Sequence, residues 1–155
     1  MANKNRKRKR KIVLASGVFD LLHLGHVKFL EEAKKAGGKN AELIVIIARD
    51  RIAGQGKGRK PIMSENQRRA LVESLKVVDE AILGFENFDI GKVIEKIKPD
   101  VIALGYDQEG MENLVKKYVD GHGLKIKIVR IGKFEEDELD SSSKIKQKIV
   151  ENFVR

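Results

Sequence analysis

Two histidines stand three residues apart in the stretch SGVFDLLHLGHVKFL, which spans residues 16–30. His23 and His26 flank Gly25, and Gly17 and Asp20 precede them. If a helix begins here, its free backbone amides and the positive end of its dipole attract an anion, and two imidazoles add N–H donors. Donors of this kind suit a polyphosphate. Glycine at position 25 would let the backbone approach that ligand closely.

Other chemistries at the histidine pair are less consistent with the sequence. A metal site needs a third ligand nearby, but the chain has no cysteine and His122 is far along the sequence. The two histidines could also simply cap and pack a helix. The spacing matches neither the dinucleotide-binding G-x-G-x-x-G nor the phosphate loop G-x-x-x-x-G-K-[ST].

Strand-like apolar runs alternate with amphipathic helical segments along the chain. The predicted strands are KIVLASG, AELIVIIARD, VVDEAILG, PDVIALG and LKIKIVRI. The predicted helices are LGHVKFLEEAKKAGG, ENQRRALVESLK, FDIGKVIEKIK, EGMENLVKKYVDGHG and SSSKIKQKIVENFV, with Ser64, Asp89 and Ser141 as N-caps. This alternation predicts right-handed crossovers and a Rossmann-like, doubly wound, five-stranded parallel sheet of the α/β class.

Ligands of such sheets bind beyond the carboxyl ends of the strands, so the strand-to-helix junctions are the candidate sites. Four junctions carry polar or flexible residues that packing would not require. They span Gly17 to His26, Ala48 to Pro61, Gly105 to Gly110 and Gly132 to Ser143. The second junction contains GQGKGRK, which we interpret as a flexible loop able to act as a lid.

The charge of the chain is concentrated at its start. The net charge is +9, and seven basic residues fall between Lys4 and Lys11. We therefore predict a disordered arm over residues 1–11 and a single, nearly neutral domain over residues 12–155. The arm could be a solubilising tail, or it could bind nucleic acid without sequence preference, although no aromatic residues interleave its charges.

The composition indicates in which compartment the protein is located. No stretch approaches the ~20 apolar residues that cross a bilayer, and the absence of cysteine fits a reducing compartment. We expect a cytoplasmic protein without membrane segments.

The stretch GVFDLLHLGHVKFLEEAKKAG resembles the signature G-x-F-D-x-x-H-x-G-H of the cytidylyltransferase-like nucleotidyltransferases. Further segments follow in family order: ARD, KGRKPI, ENQRRALVESLKVVDEAILG, KPDVIALGYDQ and SSSKI. Among these nucleotidyltransferases, the segments look most like those of the archaeal FAD synthases. The resemblance implies transfer of AMP from ATP to FMN, with a divalent cation, most simply Mg²⁺, bound to the triphosphate.

The resemblance also implies roles for individual residues. His23, His26 and Lys57 would be catalytic. The residues implied to bind the nucleotide are Val18, Phe19, His23, His26, Asp107, Ser142 and Ser143. Further candidates are Asp20, Gly25, Asp50, Arg59, Lys60, Arg68, Gly105 and Ser141, with Arg68 facing phosphate or bridging the core and Asp50 facing the acceptor. No protein ligand set for a metal is implied.

Two departures from the family pattern leave alternatives open. Val18 stands where many relatives have Thr or Ser, and Tyr106 where relatives often have Asp or Pro. CTP with glycerol 3-phosphate, or ATP with a phosphopantetheine-like acceptor, therefore remains an alternative substrate pair. Relatives often form homodimers, which the sequence neither requires nor forbids.

Overall fold

Five strands and six helices alternate through the part of the chain that the structure describes. The computed structural model describes residues 9–135 and 138–154, with the backbone alone described at residues 56 and 57. The strands are β1 (Ile12–Gly17), β2 (Glu42–Ile47), β3 (Glu80–Leu83), β4 (Val101–Leu104) and β5 (Lys127–Arg130). The helices are α1 (Leu24–Ala36), α2 (Asp50–Lys57), α3 (Glu65–Glu73), α4 (Ile90–Ile97), α5 (Glu109–Gly121) and α6 (Ser142–Phe153). Most of the predicted basic arm lies outside the described residues, so its disorder stays a prediction.

The strands form one parallel sheet in the order β3-β2-β1-β4-β5, which confirms the predicted fold class. The chain builds outward from β1 to β3 and then crosses to the other side of β1, where β4 and β5 add. The order therefore reverses beside β1. In open α/β sheets, that reversal creates the crevice where ligands bind.

Period-two alternation in the strands sends apolar side chains to both faces of the sheet. In β1, Val13 and Ala15 join a core cluster that also contains Leu30 of α1 and Val72 of α3. Leu14, between them, joins a second cluster with α4 and α5. Both faces of the sheet are thus covered, as a buried parallel sheet requires. No helix in the described ranges combines the length and apolar character needed to cross a membrane.

The predicted N-caps of three helices are confirmed. The side chain of Ser64 accepts a hydrogen bond from the backbone N–H of Gln67 at 3.3 Å. Asp89 caps α4 and Ser141 caps α6 in the same manner, each through the N–H three residues on. Each bond satisfies one of the amides that a helix start leaves free, so these boundaries were encoded locally.

The second junction differs from the prediction, because residues 50–57 form helix α2 instead of a loop. The prediction relied on Gly54 and Gly56, which weaken helices. A tertiary contact at the helix start opposes that preference, since a carboxylate oxygen of Glu65 accepts the N–H of Asp50 at 2.8 Å. Gly58 ends the helix with φ = 66°, a left-handed conformation that glycine adopts without strain.

Candidate active site

A cavity of about 1300 Å³ opens at the carboxyl ends of the strands. Nearly all of the predicted site residues line it: Val18, Phe19, Asp20, His23, Gly25, His26, Arg59, Lys60, Gly105, Asp107 and Ser141 to Ser143. Asp50 and Arg68 are not among the lining residues. The side chain of Lys57 lies outside the described part of the structure. A pocket for one small ligand occupies roughly 300–1000 Å³, so this cavity has room for two.

The two histidines form a stacked pair at the start of α1. Their ring centroids lie 3.7 Å apart and the ring planes differ by 23°. The backbone N–H of His23, the N-cap residue, donates to Nδ1 of His26 at 3.3 Å. Since Nδ1 accepts that bond, the proton of a neutral His26 ring must be on Nε2. His26 is thereby fixed as an Nε2–H donor.

His23 is held in the neutral form by its surroundings. Burial lowers the pKa of His23 below its ordinary value of 6.5, and the negative charge of Asp140 opposes that shift. Its side chain faces the backbone N–H of His26 in a capping-box arrangement, but its buried Nδ1 makes no full hydrogen bond among the described residues. A buried polar nitrogen without a full hydrogen bond costs free energy.

Asp140 is a site residue that the sequence analysis missed. It lies in the cavity wall just before α6, and one carboxylate oxygen accepts a hydrogen bond from Lys144 at 2.7 Å. That bond lowers the pKa of Asp140, so the group is ionised at neutral pH. The other carboxylate oxygen is buried without a partner among the described residues. A signal existed in the sequence, because Asp140 directly precedes the Ser141 cap.

Gly25 is required for close packing around this pair. A Cβ at position 25 would overlap the backbone carbonyl oxygen of Asp140 and lie 2.9 Å from Cε1 of His23. Only glycine lets the start of α1 approach the loop before α6 this closely. The structure thus gives Gly25 a packing role in addition to the predicted approach of the backbone to a ligand.

Asp20 joins three junctions that are distant in sequence. Its carboxylate accepts the backbone N–H of Ile62 at 2.7 Å and that of Met63 at 3.0 Å. Its carbonyl oxygen accepts the hydroxyl of Ser142 at 2.5 Å. The residue before it, Phe19, adopts φ = 55° and places its ring 5.3 Å from that of His26. Asp20 therefore fixes the loop that carries the histidines against the segment before α3 and the first turn of α6.

Arg68 supports the strand ends from beneath the cavity, which matches the core-bridging alternative. Its side chain is fully buried and donates to the carbonyl oxygens of Val18 (2.7 Å), Ala48 (2.9 Å) and Met63 (3.0 Å). It also donates to Oδ1 of Asp50 at 2.6 Å. Asp50 is thus the partner of a buried arginine, and it is not among the residues that line the cavity.

Comparison with known proteins decides the family. The family model described as Cytidylyltransferase-like matches residues 14–148. The chain belongs to the cytidylyltransferase-like family. A protein named FAD synthase from Ferroglobus placidus is 54% identical over 140 residues, covering 90% of this chain and 88% of its own. A protein named FAD synthase from Thermoplasma volcanium is 48% identical, covering 90% of this chain and 94% of its own. Another, from Methanopyrus kandleri, is 46% identical, covering 94% of this chain and 95% of its own.

Two solved structures share the fold of this chain. A crystal structure described as a lipopolysaccharide core biosynthesis protein from Thermoplasma volcanium is 48% identical, with a TM-score of 0.72. That likeness covers 81% of this chain and 98% of the other. A protein of unknown function from Archaeoglobus fulgidus, 20% identical with a TM-score of 0.62 over 81% of this chain and 99% of its own, shares the fold.

Basic side chains surround the cavity of this cytidylyltransferase-like chain. Arg59 and Lys60 line it from the second junction, as predicted. Five cations that the sequence analysis missed also line it: Lys28, Arg49, Arg130, Lys133 and Lys146. For the last three, the signal was their position at and after the end of the fifth strand. The negative charge of a polyphosphate would be attracted by these side chains only at short range, since salt screens exposed charges beyond about 8 Å.

In the β4–α5 junction, two side chains fold back onto the backbone at Gly105. The N–H of Gly105 donates to the side-chain oxygen of Gln108 at 2.7 Å. A Cβ on Gly105 would lie 3.1 Å from a carboxylate oxygen of Asp107, so glycine allows Asp107 to fold back beside the strand end. The neighbouring Tyr106 is 49% exposed, and the ammonium of Lys133 lies 5.6 Å from its ring centre.

Proposed function

We propose that this chain is an FAD synthase, which transfers AMP from ATP to FMN and releases pyrophosphate. The observation that carries the proposal is the match to proteins named FAD synthase, 54% identical over 90% of the chain for one of them. The stacked histidine pair in a cavity with room for two ligands supports the same activity.

The reaction needs little chemistry from the protein itself. A phosphate oxygen of FMN attacks the α-phosphorus of ATP in line, and the bond from that phosphorus to the bridging oxygen breaks. Pyrophosphate departs with the electron pair of that bond. The attacking phosphate is already ionised at neutral pH, so no general base is required. Catalysis then consists of positioning the two substrates and stabilising the charge that grows on the phosphoryl oxygens.

The donors around the cavity fit that task. Because Nδ1 of His26 accepts a backbone hydrogen bond, its Nε2–H is a fixed donor for an oxygen of the reacting phosphoryl group. His23 and the backbone amides of Val18 and Phe19 would hold the same triphosphate. The start of α6 would hold the β- and γ-phosphates through Ser143 and its amides. The hydroxyl of Ser142 donates a hydrogen bond to the carbonyl oxygen of Asp20. The lone pairs of that hydroxyl and the backbone N–H of Ser142 are left for other contacts.

Cationic side chains would reach the leaving pyrophosphate from the second junction. Arg59 and Lys60 line the cavity there, and Lys57 ends the neighbouring helix α2. Asp107 would contact the ribose or the base from the β4–α5 junction. These placements are the roles that the family resemblance implied, and the lining of the cavity supports those of Arg59, Lys60 and Asp107.

A divalent cation, most simply Mg²⁺, would accompany the triphosphate. Among the described residues, no group of three or more histidine, aspartate or glutamate side chains converges to hold a metal. The chain therefore does not form a cation cage of its own there, and the phosphate oxygens would supply most ligands. Mg²⁺ bound in that way neutralises phosphate charge.

An end-point assay tests the proposal directly. The purified protein is mixed with Mg²⁺ and each of four pairs that combine ATP or CTP with FMN or glycerol 3-phosphate. Pyrophosphate release and product mass are measured in each mixture. We expect FAD and pyrophosphate from ATP and FMN alone. CDP-glycerol as the product, or no product with FMN, would contradict the proposed acceptor while leaving the family assignment intact.

A further inference from the structure

Two phenylalanines face the cavity from the segment that joins β3 to α4. Phe85 is 36% exposed and Phe88 is 47% exposed, and both line the cavity. Neither ring belongs to the two hydrophobic clusters of the core. We call residues 84–89 the aromatic platform. Large apolar side chains left beside a cavity commonly mark a ligand-binding surface.

The aromatic platform is fixed at both ends. At its start, Nε of Arg49 donates to the carbonyl oxygen of Gly84 at 2.8 Å, and the same guanidinium lies 3.4 Å from Glu86. At its end, Asp89 caps α4. A surface that is ordered before binding loses little conformational entropy when a ligand arrives. The backbone that carries the two rings is therefore held at both ends without a ligand.

The sheet order places the aromatic platform on one side of the histidine pair. The pair follows β1, the platform follows β3, and β2 lies between those strands. Adjacent strands lie about 4.8 Å apart, so the two features are separated by roughly 10 Å across the sheet. Tyr106 and Asp107 follow β4 on the opposite side of β1. A ligand with a phosphate at the histidines can thus extend in either direction.

We propose that the aromatic platform binds the planar tricyclic ring of FMN, with Phe85 and Phe88 as the stacking residues. This inference rests on the proposed function. FMN carries its phosphate at the end of a five-carbon chain, which spans a distance of the same order as that between the platform and the histidines. The opposite side of the cavity is left for the nucleotide. Flat aromatic rings gain free energy by stacking on phenylalanine.

The apolar character of the neighbouring wall supports this occupant. Ile52 and Ala53 of helix α2 line the same cavity. A bare phosphate or a small polyol phosphate would gain nothing from two phenylalanines and these aliphatic groups, because it has no apolar surface to bury. A tricyclic ring has such surface on both of its faces.

Alanine substitutions test the platform kinetically. We expect Phe85→Ala and Phe88→Ala each to raise the KM for FMN about tenfold, as loss of a stacking aromatic ring does, and the double variant to raise it further. The KM for ATP should stay within about twofold of wild type, and Phe88→Tyr should restore the FMN value. Phe153→Ala is the matched control, because Phe153 is 80% exposed on α6 and does not line the cavity.

A fluorescence experiment locates the ring without catalysis. The chain contains no tryptophan, so Phe88→Trp introduces a single one. A tryptophan in contact with a flavin quenches the flavin's own emission by electron transfer, whereas phenylalanine does not. We expect added quenching of bound FMN in Phe88→Trp and none in Phe153→Trp.

The outcomes separate this inference from the function on which it rests. Suppose that the wild-type protein makes FAD, that the alanine variants keep the wild-type KM for FMN, and that Phe88→Trp adds no quenching. That result overturns the role of the aromatic platform alone. Wild-type protein that neither binds FMN nor makes FAD overturns the proposed function and the platform with it.

Discussion

Replacing Arg68 by methionine should destabilise the protein more than any surface substitution of an arginine. Arg68 is fully buried and is bonded to three backbone carbonyl oxygens and to Asp50. Methionine keeps most of the apolar stem but none of the donors. The three carbonyl groups, two of them at the ends of β1 and β2, would then lose the partner that reaches them from α3.

The size of the effect follows from burial. Removing one partner of a buried ion pair or hydrogen-bonded network costs about 3–5 kcal/mol. The side chain of Asp50 is 38% exposed, so water can solvate that carboxylate and the ion pair contributes only part of the loss. We therefore expect a decrease of about 3–4 kcal/mol in the free energy of unfolding. A domain of this size has about 5–15 kcal/mol in total.

The neighbouring arginine provides the control. Arg69 forms an i,i+4 ion pair with Glu73, with side chains 32% and 47% exposed, and such surface pairs contribute about 0–1 kcal/mol. Unfolding in urea, followed by circular dichroism, should give a large shift for Arg68→Met and a small one for Arg69→Met. Equal shifts for the two variants would refute the claim that Arg68 is the structural support of the junctions.

Three further predictions concern the histidine loop. Gly25→Ala should cost about 1–3 kcal/mol of stability, as overpacking does, because the added Cβ overlaps the carbonyl of Asp140. His26→Ala should lower kcat about 100-fold, the usual loss for a transition-state donor, with little change in the melting temperature. The pKa of His23 is lowered in the folded state, so the unfolded chain binds its proton more tightly. The His23 contribution to the free energy of unfolding should therefore be complete above pH 6.5 and decline as the pH falls from 6.5 to the lowered pKa.

Each of these has a matched comparison. Gly121→Ala meets no atom within 4 Å and should be neutral or stabilising by less than about 1 kcal/mol; an equal loss at both glycines would contradict the packing argument. His122→Ala, outside the cavity, should leave kcat unchanged. For His23, the difference in stability between wild type and His23→Gln should depend on pH below 6.5, and a constant difference would show that burial does not perturb this ring.

Several features of the site were predictable because they are local. Ser64, Asp89 and Ser141 each cap a helix through a bond to the third residue on, and a bond over three residues is visible in the sequence. The histidine pair is local in the same sense, since its defining contact joins His23 to His26. The signature around it, which is typical of the family, is equally local.

The errors arose where a distant contact outweighed a local preference. Glycines at 54 and 56 predicted a loop, whereas Glu65, fifteen residues away from Asp50, anchors the start of helix α2. Asp140 directly precedes the Ser141 cap, but its approach to the start of α1, more than a hundred residues earlier, is produced by the fold and is not visible in the sequence.

The sequence by itself determined the α/β class, most element boundaries and the position of the histidine pair at the start of a helix, since periodicity, caps and motif spacing act over a few residues. Only the tertiary structure decided that Asp20 joins three junctions, that Arg68 supports them from below, and that the aromatic platform lies across β1 from Tyr106. The physical reason is the strand order. Every parallel strand delivers its carboxyl end to the same edge, but the pairing of strands decides which ends become neighbours, and that pairing depends on packing across the whole sheet.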